Sequence, residues 1–200
     1  MARQARRLWR LCAQGETCYT ERMSNIVILN GSPRKGGNTD LLARAFADGA
    51  EKRHRVEIVP VACLRVNPCT GCNSCFAREG HVCFQNDDMD AIYAKLRSAD
   101  ILVIASPVYF YGISAQLKAV IDRLHTPLRN TFRIKRLALI LAGAATLPEL
   151  FDAITAQYRL ILSFFHLEDA GMVLARGVKD KGDVRNTAAL QEAYDLGLSV

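Results

Sequence analysis

The chain has 200 residues and half of them are hydrophobic, which suffices for one sizeable core and fits a single main domain. No apolar run approaches the roughly 18 residues that a membrane helix requires, so we expect a soluble protein without a membrane partner. The net charge is +6, of which +3 falls in residues 1–22. The rest is only mildly basic and lacks a basic stripe interleaved with aromatic residues, which argues against a nucleic-acid partner.

Residues 1–22 carry five arginines and little periodicity, and we predict that they form a basic N-terminal extension of a domain covering residues 23–200. The pair Arg6-Arg7 is not followed by an apolar stretch, which excludes a twin-arginine export signal. We therefore expect a cytoplasmic protein. In that compartment the seven cysteines indicate metal binding or redox chemistry rather than a disulfide framework.

The stretch over residues 26–42 combines a strand, a turn and a helix start. Residues 26–29 are all apolar, which indicates a strand buried on both faces, and the helical spacing begins at Asn38 or Thr39 as N-cap. Between them lie small and polar residues, so free backbone N–H groups and the positive end of the helix dipole meet at one point, which suits a phosphate. Side-chain donors and charges are contributed by Ser32, Arg34, Lys35, Asn38 and Thr39.

The spacing of the glycines in this turn excludes two common nucleotide loops. There is no G-x-x-x-x-G-K-[ST] pattern, which argues against a Mg-triphosphate site, and no G-x-G-x-x-G pattern, which argues against a dinucleotide pyrophosphate turn. An ordinary strand-to-helix connection is the plain alternative. The density of donors and cations favours a monophosphate loop over that alternative.

Four further strand–helix units follow. The predicted strands lie at residues 26–29, 56–61, 101–105, 137–141 and 170–175. The predicted helices begin after the acidic pair at 87–88, after Ser114, at a capping-box pattern over residues 146–149, and at Thr187. Five apolar strands, each followed by a helix, predict an α/β protein with a parallel sheet and helices on both faces. Ligands of such sheets bind beyond the C-terminal strand ends, where the loops starting at 31, 106 and 142 would converge.

A cysteine-rich insertion at about residues 62–86 separates the second and third strands. It holds Cys69, Cys72, Cys75 and Cys83 in the pattern C-x2-C-x2-C-x7-C. Three thiolates on a tight loop and a fourth shortly after could hold a [4Fe–4S] cluster. Zinc, which prefers two separated Cys-x2-Cys pairs, redox-active thiols and a pattern without any cluster are the alternatives. We expect Cys63 to be buried near the second strand and assign no role to the histidines.

Three segments carry a family resemblance. Gly31-Ser-Pro-Arg-Lys-Gly-Gly-Asn-Thr39, Ser106-Pro-Val-Tyr-Phe-Tyr-Gly112 and residues 115–123 resemble the flavodoxin-like, NAD(P)H-dependent FMN reductase family, with similarity from about Ser24 onward. The cysteine pattern resembles the iron–sulfur flavoprotein branch of that family. The resemblance implies a flavodoxin-like three-layer sandwich with a five-stranded parallel sheet and bound FMN.

The resemblance also assigns residues to the flavin. The phosphate would be held by residues of the first loop, and the isoalloxazine would be lined by the loops starting at 106 and 142. The implied FMN-binding residues are Ser32, Arg34, Gly37, Asn38, Thr39, Pro107, Val108, Tyr109, Phe110, Gly143 and Ala144. A core-packing aromatic cluster is the alternative for the second loop. No catalytic side chain is predicted. Lys118 and Arg123 could contact charges of the flavin or substrate, but on a helix they are expected to be solvated.

The leading functional hypothesis is an FMN-dependent oxidoreductase that transfers electrons through bound flavin and a [4Fe–4S] cluster, with NAD(P)H or a ferredoxin-like protein as donor. The first alternative is an NAD(P)H-dependent reductase of quinones, nitroaromatics or free flavin without a cluster. The second is a non-catalytic redox carrier or sensor. We also predict a homodimer or homotetramer, because a flavin slot built from loops often needs a second subunit to close it.

Overall fold

The structure is a computed structural model, and it describes residues 23–200. The predicted N-terminal extension therefore lies outside the described residues. The strands are β1 (Asn25–Asn30), β2 (Arg55–Pro60), β3 (Ile101–Pro107), β4 (Arg136–Ala142) and β5 (Glu168–Ala175). The α-helices are α1 (Asn38–Ala50), α2 (Ser74–Ala77), α3 (Met89–Ser98), α4 (Ala115–Asp122), α5 (Asp152–Phe165) and α6 (Ala189–Ser199).

The strands form one parallel sheet in the order β2-β1-β3-β4-β5. This confirms the predicted five-stranded parallel sheet for the part of the chain that the structure describes. Strand β1 has β2 on one side and β3 on the other, so the direction in which strands are added reverses at β1. Parallel α/β sheets bind ligands at such a reversal, outside the C-terminal ends of the strands.

Each face of the sheet has its own apolar core. Val27 and Leu29 pack in the layer that contains α3, α4 and α5, whereas Ile26 and Ile28 pack in the layer that contains α1 and α6. Successive side chains of a strand point to opposite faces, so a strand covered on both sides must be apolar at every position. This is the physical reason why β1 has an unbroken hydrophobic run.

Helices α1 and α6 cross at two glycines. A Cβ atom on Gly49 would lie 2.2 Å from the carbonyl oxygen of Tyr194, and a Cβ atom on Gly197 would lie 2.1 Å from that of Phe46. The two backbones are therefore in direct contact, and any side chain at either position would force the helices apart.

Three predicted helix starts differ from the structure, the smallest difference being at α6, which begins at Ala189 and not at Thr187. The N-cap of α1 is Gly37 rather than Asn38 or Thr39, because the Asn38 side chain bonds to a distant loop. The capping box predicted over residues 146–149 is wrong. A 3-10 turn at Pro148–Phe151 precedes α5, and Phe151 is the N-cap without a side-chain cap bond. Among residues 23–200, no helix has both the length and the apolar character needed to cross a membrane.

Candidate cofactor site and cysteine loop

A cavity of about 210 Å³ opens beyond the C-terminal ends of β1, β3, β4 and β5. Nine of the eleven residues predicted to bind FMN line it, and Phe110 and Gly143 are the two that do not. The lining residues are Ser32, Arg34, Gly37, Asn38, Thr39, Pro107, Val108, Tyr109, Ala142, Ala144, Val178 and Lys179. The three loops that were expected to converge do so. Val178 and Lys179, from the loop after β5, were missed because no sequence signal marks them.

A larger cleft of about 540 Å³ lies at the opposite end of the strands, beside the N-terminal ends of β3 and β4. It is bordered mainly by apolar side chains from the start of β3 and β4 and the end of α5, such as Leu102, Leu137 and Phe164. We assign the cofactor to the smaller cavity, since it lies at the reversal of strand order and collects the hydroxyl, amide and cationic groups.

The loop between β1 and α1 is shaped by two buried polar residues. Asn30 Oδ1 accepts a hydrogen bond from the backbone N–H of Ser32 at 3.0 Å, and Asn30 Nδ2 donates to Asp40 Oδ1 at 3.0 Å. Asp40 Oδ2 accepts from the N–H of Gly36 at 2.8 Å. Neither residue was predicted from the sequence. The available signal was an aspartate in the first turn of the helix, where a carboxylate can hold free backbone N–H groups.

Two glycines are required for the conformation of the loop between β1 and α1. Gly36 has φ +68°, a left-handed conformation that residues with a Cβ rarely adopt. Gly31 packs on the start of α4, where an added Cβ would lie 2.6 Å from Ser114 Oγ and 2.8 Å from Leu117 Cβ. The loop is therefore pressed against α4 and folded tightly around its own backbone.

Asn38 joins the first loop to the loop after β5. Its Nδ2 donates to the Asp180 carbonyl at 2.9 Å, and its Oδ1 accepts from the N–H groups of Gly182 at 3.0 Å and Val184 at 3.2 Å. Since the side-chain amide is engaged in this way, Asn38 can offer an anion its backbone N–H but not a free side chain.

The remaining polar groups of the cavity fit a phosphate. Thr39 is buried at the first turn of α1, and Ser32 Oγ accepts from the N–H of Arg34 at 3.2 Å and donates to the Arg34 carbonyl in a long hydrogen bond of 3.5 Å, which a phosphate oxygen could replace. The first N–H groups of a helix have no acceptor within the helix and point along the positive end of its dipole. Together with the positive charge of Arg34, these hydrogen-bond donors are suited to bind the dianionic phosphate group of a ligand.

The loop after β3 forms the apolar wall of the cavity. Ser106 Oγ donates to the Pro107 carbonyl at 2.8 Å and accepts from the N–H of Ser114 at 2.9 Å, so the two ends of the loop are held together. Between them, Tyr109 and Gly112 exchange two backbone hydrogen bonds of 2.9 and 3.0 Å. This leaves Pro107, Val108 and Tyr109 against the cavity as a flat, mostly apolar surface.

The tip of this loop is a two-residue hairpin turn. Phe110 and Tyr111 have φ values of 48° and 64°, and Phe110 is 98% exposed. Phe110 therefore lies next to the cavity but points into solvent, unlike the ring-lining role that the resemblance implied. Gly143 is buried, and its backbone bonds to Ala175 and Val178 behind the cavity wall.

The cysteine loop lies on the surface. Cys69 and Cys72 are exposed, and Cys75 and Cys83 are partly buried. Cys63 is exposed as well, so the expectation of a buried Cys63 is wrong. A hydrogen bond with Ser74 lowers the pKa of the Cys72 thiol. Within residues 23–200, no three His, Cys, Asp or Glu side chains are gathered closely enough to hold a metal ion.

A buried ion pair fastens this loop to the end of α4. Arg123 Nη1 lies 2.5 Å from Asp87 Oδ2 and 3.3 Å from the Asn67 carbonyl, and both side chains are buried. Burial opposes ionisation of Asp87, but hydrogen bonds from Arg123 and from the N–H groups of Asn67 and Met89 lower its pKa. Arg123 was expected to be solvated, and the structure corrects this. Lys118 is exposed and pairs with Asp122, as expected for a helix surface.

A five-stranded parallel sheet in this strand order, with helices on both faces and a cavity beyond its C-terminal strand ends, defines a flavodoxin-like fold. The sequence model of the NADPH-dependent FMN reductase family matches residues 24–178, and the chain belongs to this family.

Individual relatives agree with this assignment. An iron–sulfur flavoprotein of Methanocaldococcus jannaschii is 42% identical over 111 residues, which are 55% of this chain and 56% of the relative. A Bacillus subtilis protein, provisionally named as an NAD(P)H-dependent FMN-containing oxidoreductase, is 29% identical over 86% of this chain and 95% of its own length. The chain thus matches only about half the length of the iron–sulfur flavoproteins.

The fold is shared with a solved NAD(P)H:quinone oxidoreductase from Methanothermobacter marburgensis. The two structures superpose with a TM-score of 0.72 over 88% of this chain and 96% of the other, at 17% identity. At that identity the similarity establishes the fold and leaves the activity to be argued from the site.

Proposed function

We propose that the protein is an FMN-dependent oxidoreductase that transfers electrons through bound flavin, with NAD(P)H or a ferredoxin-like protein as donor. The observation that carries the proposal is the single cavity in which nine predicted flavin residues from three loops come together. Membership of the FMN reductase family supports it.

The residues of the first loop would hold the FMN phosphate. The hydroxyls of Ser32 and Thr39, the charge of Arg34 and the backbone N–H groups at the start of α1 supply donors to the anion. Asn30 and Asp40 keep this loop in place without contacting the phosphate themselves. Because the loop is already held in this shape, FMN binding would not have to offset the entropy cost of ordering it.

The residues of the second loop would hold the ring system. Pro107, Val108 and Tyr109 form an apolar wall that excludes water from one side of the slot, and Ala144 lies on the opposite lining. When bound, FMN supplies two-electron and one-electron redox chemistry, and an iron–sulfur cluster supplies one-electron exchange. We assign no side chain as a general acid or base.

We further propose that Cys69, Cys72, Cys75 and Cys83 hold a [4Fe–4S] cluster. The donor set is chemically suitable, since four thiols on one surface loop match the ligands that such clusters use. The names of several relatives support this proposal. We also propose a cytoplasmic location, because four free cysteines on one surface loop are typical of proteins in a reducing compartment.

A second candidate function is an NAD(P)H-dependent reductase of quinones, nitroaromatics or free flavin without a cluster. It is favoured by one observation, namely that the described residues bring no three potential ligands together. In this case the cysteine loop would be a surface feature without a metal.

Anaerobic purification with flavin, iron and sulfide counted per chain tests these proposals. Bound FMN together with iron and sulfide, and a broad absorbance shoulder near roughly 400 nm, would support the iron–sulfur flavoprotein. FMN alone with NAD(P)H oxidation would support the second candidate. Reducible flavin that turns over no acceptor would instead indicate a redox carrier or sensor. Colourless protein that takes up no added FMN would overturn the proposed function.

We also propose that the protein is a homodimer or homotetramer. Support comes from large apolar side chains on the surface, among them Phe110, Leu160 at 71% exposure and Phe164 at 52% exposure. Light scattering after size-exclusion chromatography is the test. A monomeric mass for protein that retains FMN would contradict this proposal.

A further inference from the structure

The guanidinium group of Arg123 carries two buried nitrogens that have no partner. Its Nη1 is engaged by Asp87 and by the Asn67 carbonyl. Nε and Nη2 are buried and make no hydrogen bond among the described residues. A buried donor without an acceptor destabilises the fold, and more so when it is charged, so native structures rarely leave one unpaired. These two N–H groups therefore indicate an acceptor that the polypeptide itself does not supply.

The cysteine loop is folded over this arginine. Asn67, which bonds to Arg123, is two residues before Cys69, and Asp87 is four residues after Cys83. On the other side of the loop, the ring of Phe76 contacts that of His125 at 5.7 Å between centroids. The loop is thus attached to the C-terminal end of α4 at both of its ends and in its middle.

Tyr93 joins the buried polar groups around Arg123. Tyr93 donates from its hydroxyl to the Arg123 carbonyl at 2.6 Å. Burial raises the pKa of Tyr93 to about 12, and the nearby charge of Arg123 opposes that rise. Burial opposes the charge on Arg123, but the hydrogen bond and charge of Asp87 raise its pKa. Arg123, Asp87 and Tyr93 therefore form one buried polar region under the loop that carries the four cysteines.

We propose that Arg123 is a positioning residue for an iron–sulfur cluster on this loop, with its Nε–H and Nη2–H groups donating to cluster sulfur or thiolate sulfur. The inference rests on the proposed cluster and goes beyond it, because it assigns a role to a residue outside the cysteine motif. Asp87 holds the guanidinium on its other edge and fixes its orientation.

The chemistry of the cluster fits such a neighbour. A [4Fe–4S] centre with four thiolate ligands is negatively charged, and one-electron reduction adds a further negative charge. A buried cation beside it offsets that charge, and hydrogen bonds to the sulfur atoms raise the reduction potential. Losing the donors is therefore expected to weaken cluster retention and to lower the midpoint potential. A purely structural arginine would affect folding stability alone.

The test compares wild-type protein with Arg123→Lys and with Arg78→Lys after anaerobic reconstitution with ferrous iron and sulfide. Arg123→Lys keeps a positive charge opposite Asp87 but removes the two spare donors. Arg78→Lys is the matched control, since Arg78 is exposed on the same loop only three residues after Cys75. The readouts are iron and sulfide per chain, the rate of iron loss to a chelator, the midpoint potential and the FMN content.

We expect Arg123→Lys to retain FMN, to lose iron about 10- to 100-fold more readily, and to show a lower midpoint potential. Arg78→Lys should behave as wild type. Equal iron retention and potential in wild type and Arg123→Lys would overturn the inference while leaving the cluster in place. If wild-type protein binds FMN but takes up no iron, both the proposed cluster and this inference are contradicted.

A second measurement covers the case in which Arg123→Lys does not fold. Reduced, cluster-loaded Arg78→Lys protein carrying 15N-labelled arginine should show a nitrogen hyperfine coupling to the cluster in pulsed electron paramagnetic resonance. Such a coupling reports an arginine nitrogen close to the cluster, as the proposed hydrogen bonds from Arg123 require. Absence of any arginine coupling would contradict the proposal.

Discussion

Asn30 at the end of β1 and Asp40 in the first turn of α1 are joined by a buried hydrogen bond of 3.0 Å between Asn30 Nδ2 and Asp40 Oδ1. In the loop between them, the backbone N–H of Ser32 donates to Asn30 Oδ1 and the backbone N–H of Gly36 donates to Asp40 Oδ2. The shape of the loop between β1 and α1 is thus set by the side chains of Asn30 and Asp40. A buried polar pair of this kind is costly to leave half-satisfied, so either partner should be sensitive to substitution.

Asp40→Ala is expected to weaken FMN binding and to lower stability. It leaves Asn30 Nδ2 and the N–H of Gly36 without acceptors, at a cost of about 1–3 kcal/mol, and the loop loses its fixed shape. Flavin fluorescence titration and urea denaturation measure the two effects. Arg44→Ala is the control, because the exposed Arg44 guanidinium contacts the same carboxylate at 3.2 Å in a surface ion pair worth at most about 1 kcal/mol. Equal effects of the two substitutions would contradict this account.

Thr39→Val is expected to reduce the affinity for FMN but not for riboflavin. The substitution keeps the buried shape of the side chain and removes the hydroxyl of a residue that lines the cavity. A hydrogen bond to a charged group contributes about 1.5–3 kcal/mol, which corresponds to a loss of about tenfold or more in affinity. Parallel titrations with the two flavins are the measurement. A similar loss for riboflavin would indicate that Thr39 acts on the ring or on the fold instead of the phosphate.

The fold was predictable because its signals are local and repeated. Residues 101–105 are all apolar, and only a strand covered on both faces requires that pattern in so short a run. Once five such strands alternate with helices, the handedness of the connections gives a parallel sheet. The convergence of the loops at 31, 106 and 142 then follows from topology, since the C-terminal ends of parallel strands share one edge.

The details that were not predictable depend on partners distant in sequence. The side chain of Asn38 bonds to residues more than 140 positions away, which no local pattern reports. Arg123 is charged and follows a helix, so local reasoning places it in solvent, whereas its partner Asp87 is 36 positions earlier and buries it. The capping-box pattern at residues 146–149 failed for a related reason, since a 3-10 turn precedes the helix proper.

Asp87 is expected to make folding stability depend on pH in the acidic range. The folded-state pKa of its carboxyl is lowered, so it binds protons more weakly when folded than when unfolded. The contribution of Asp87 to the free energy of unfolding is therefore fully present above pH 3.8, the ordinary pKa of its carboxyl. It is lost as the pH falls through the lower pKa of the folded state. Urea denaturation of iron-free protein across this range is the measurement.

The matching variant is Asp87→Asn. It leaves Arg123 buried without a counter-charge and should cost about 3–5 kcal/mol at neutral pH. The difference in stability between wild type and variant should shrink as the pH falls, because wild type loses the same charge. A difference that stays constant down to the lowest pH would show that the ion pair does not titrate as proposed.

Gly197→Ala is expected to destabilise the protein by separating α1 from α6. The new Cβ would lie only 2.1 Å from the Phe46 carbonyl oxygen, and backbone atoms cannot move aside as a flexible side chain can. Overpacking of this kind costs about 1–3 kcal/mol or more, against a gain from helix propensity of about 1 kcal/mol. Thermal unfolding measures it, with the exposed Glu192→Ala in the same helix as control. A stabilised Gly197→Ala variant would refute the close helix contact.

Tyr111→Gly is expected to stabilise the protein. Tyr111 holds φ at 64° in a two-residue hairpin turn, a left-handed conformation that costs about 1–2 kcal/mol for a residue with a Cβ. Glycine adopts this conformation without strain but has more entropy in the unfolded chain, so we expect a net gain of about 0.5–1 kcal/mol. Leu147→Gly is the control: Leu147 is also exposed, but its φ of −57° suits any residue, and glycine there should only destabilise. If Tyr111→Gly lowered the unfolding free energy as much as Leu147→Gly does, the edge contact between the Phe110 and Tyr111 rings, 6.0 Å between centroids, would outweigh the backbone strain.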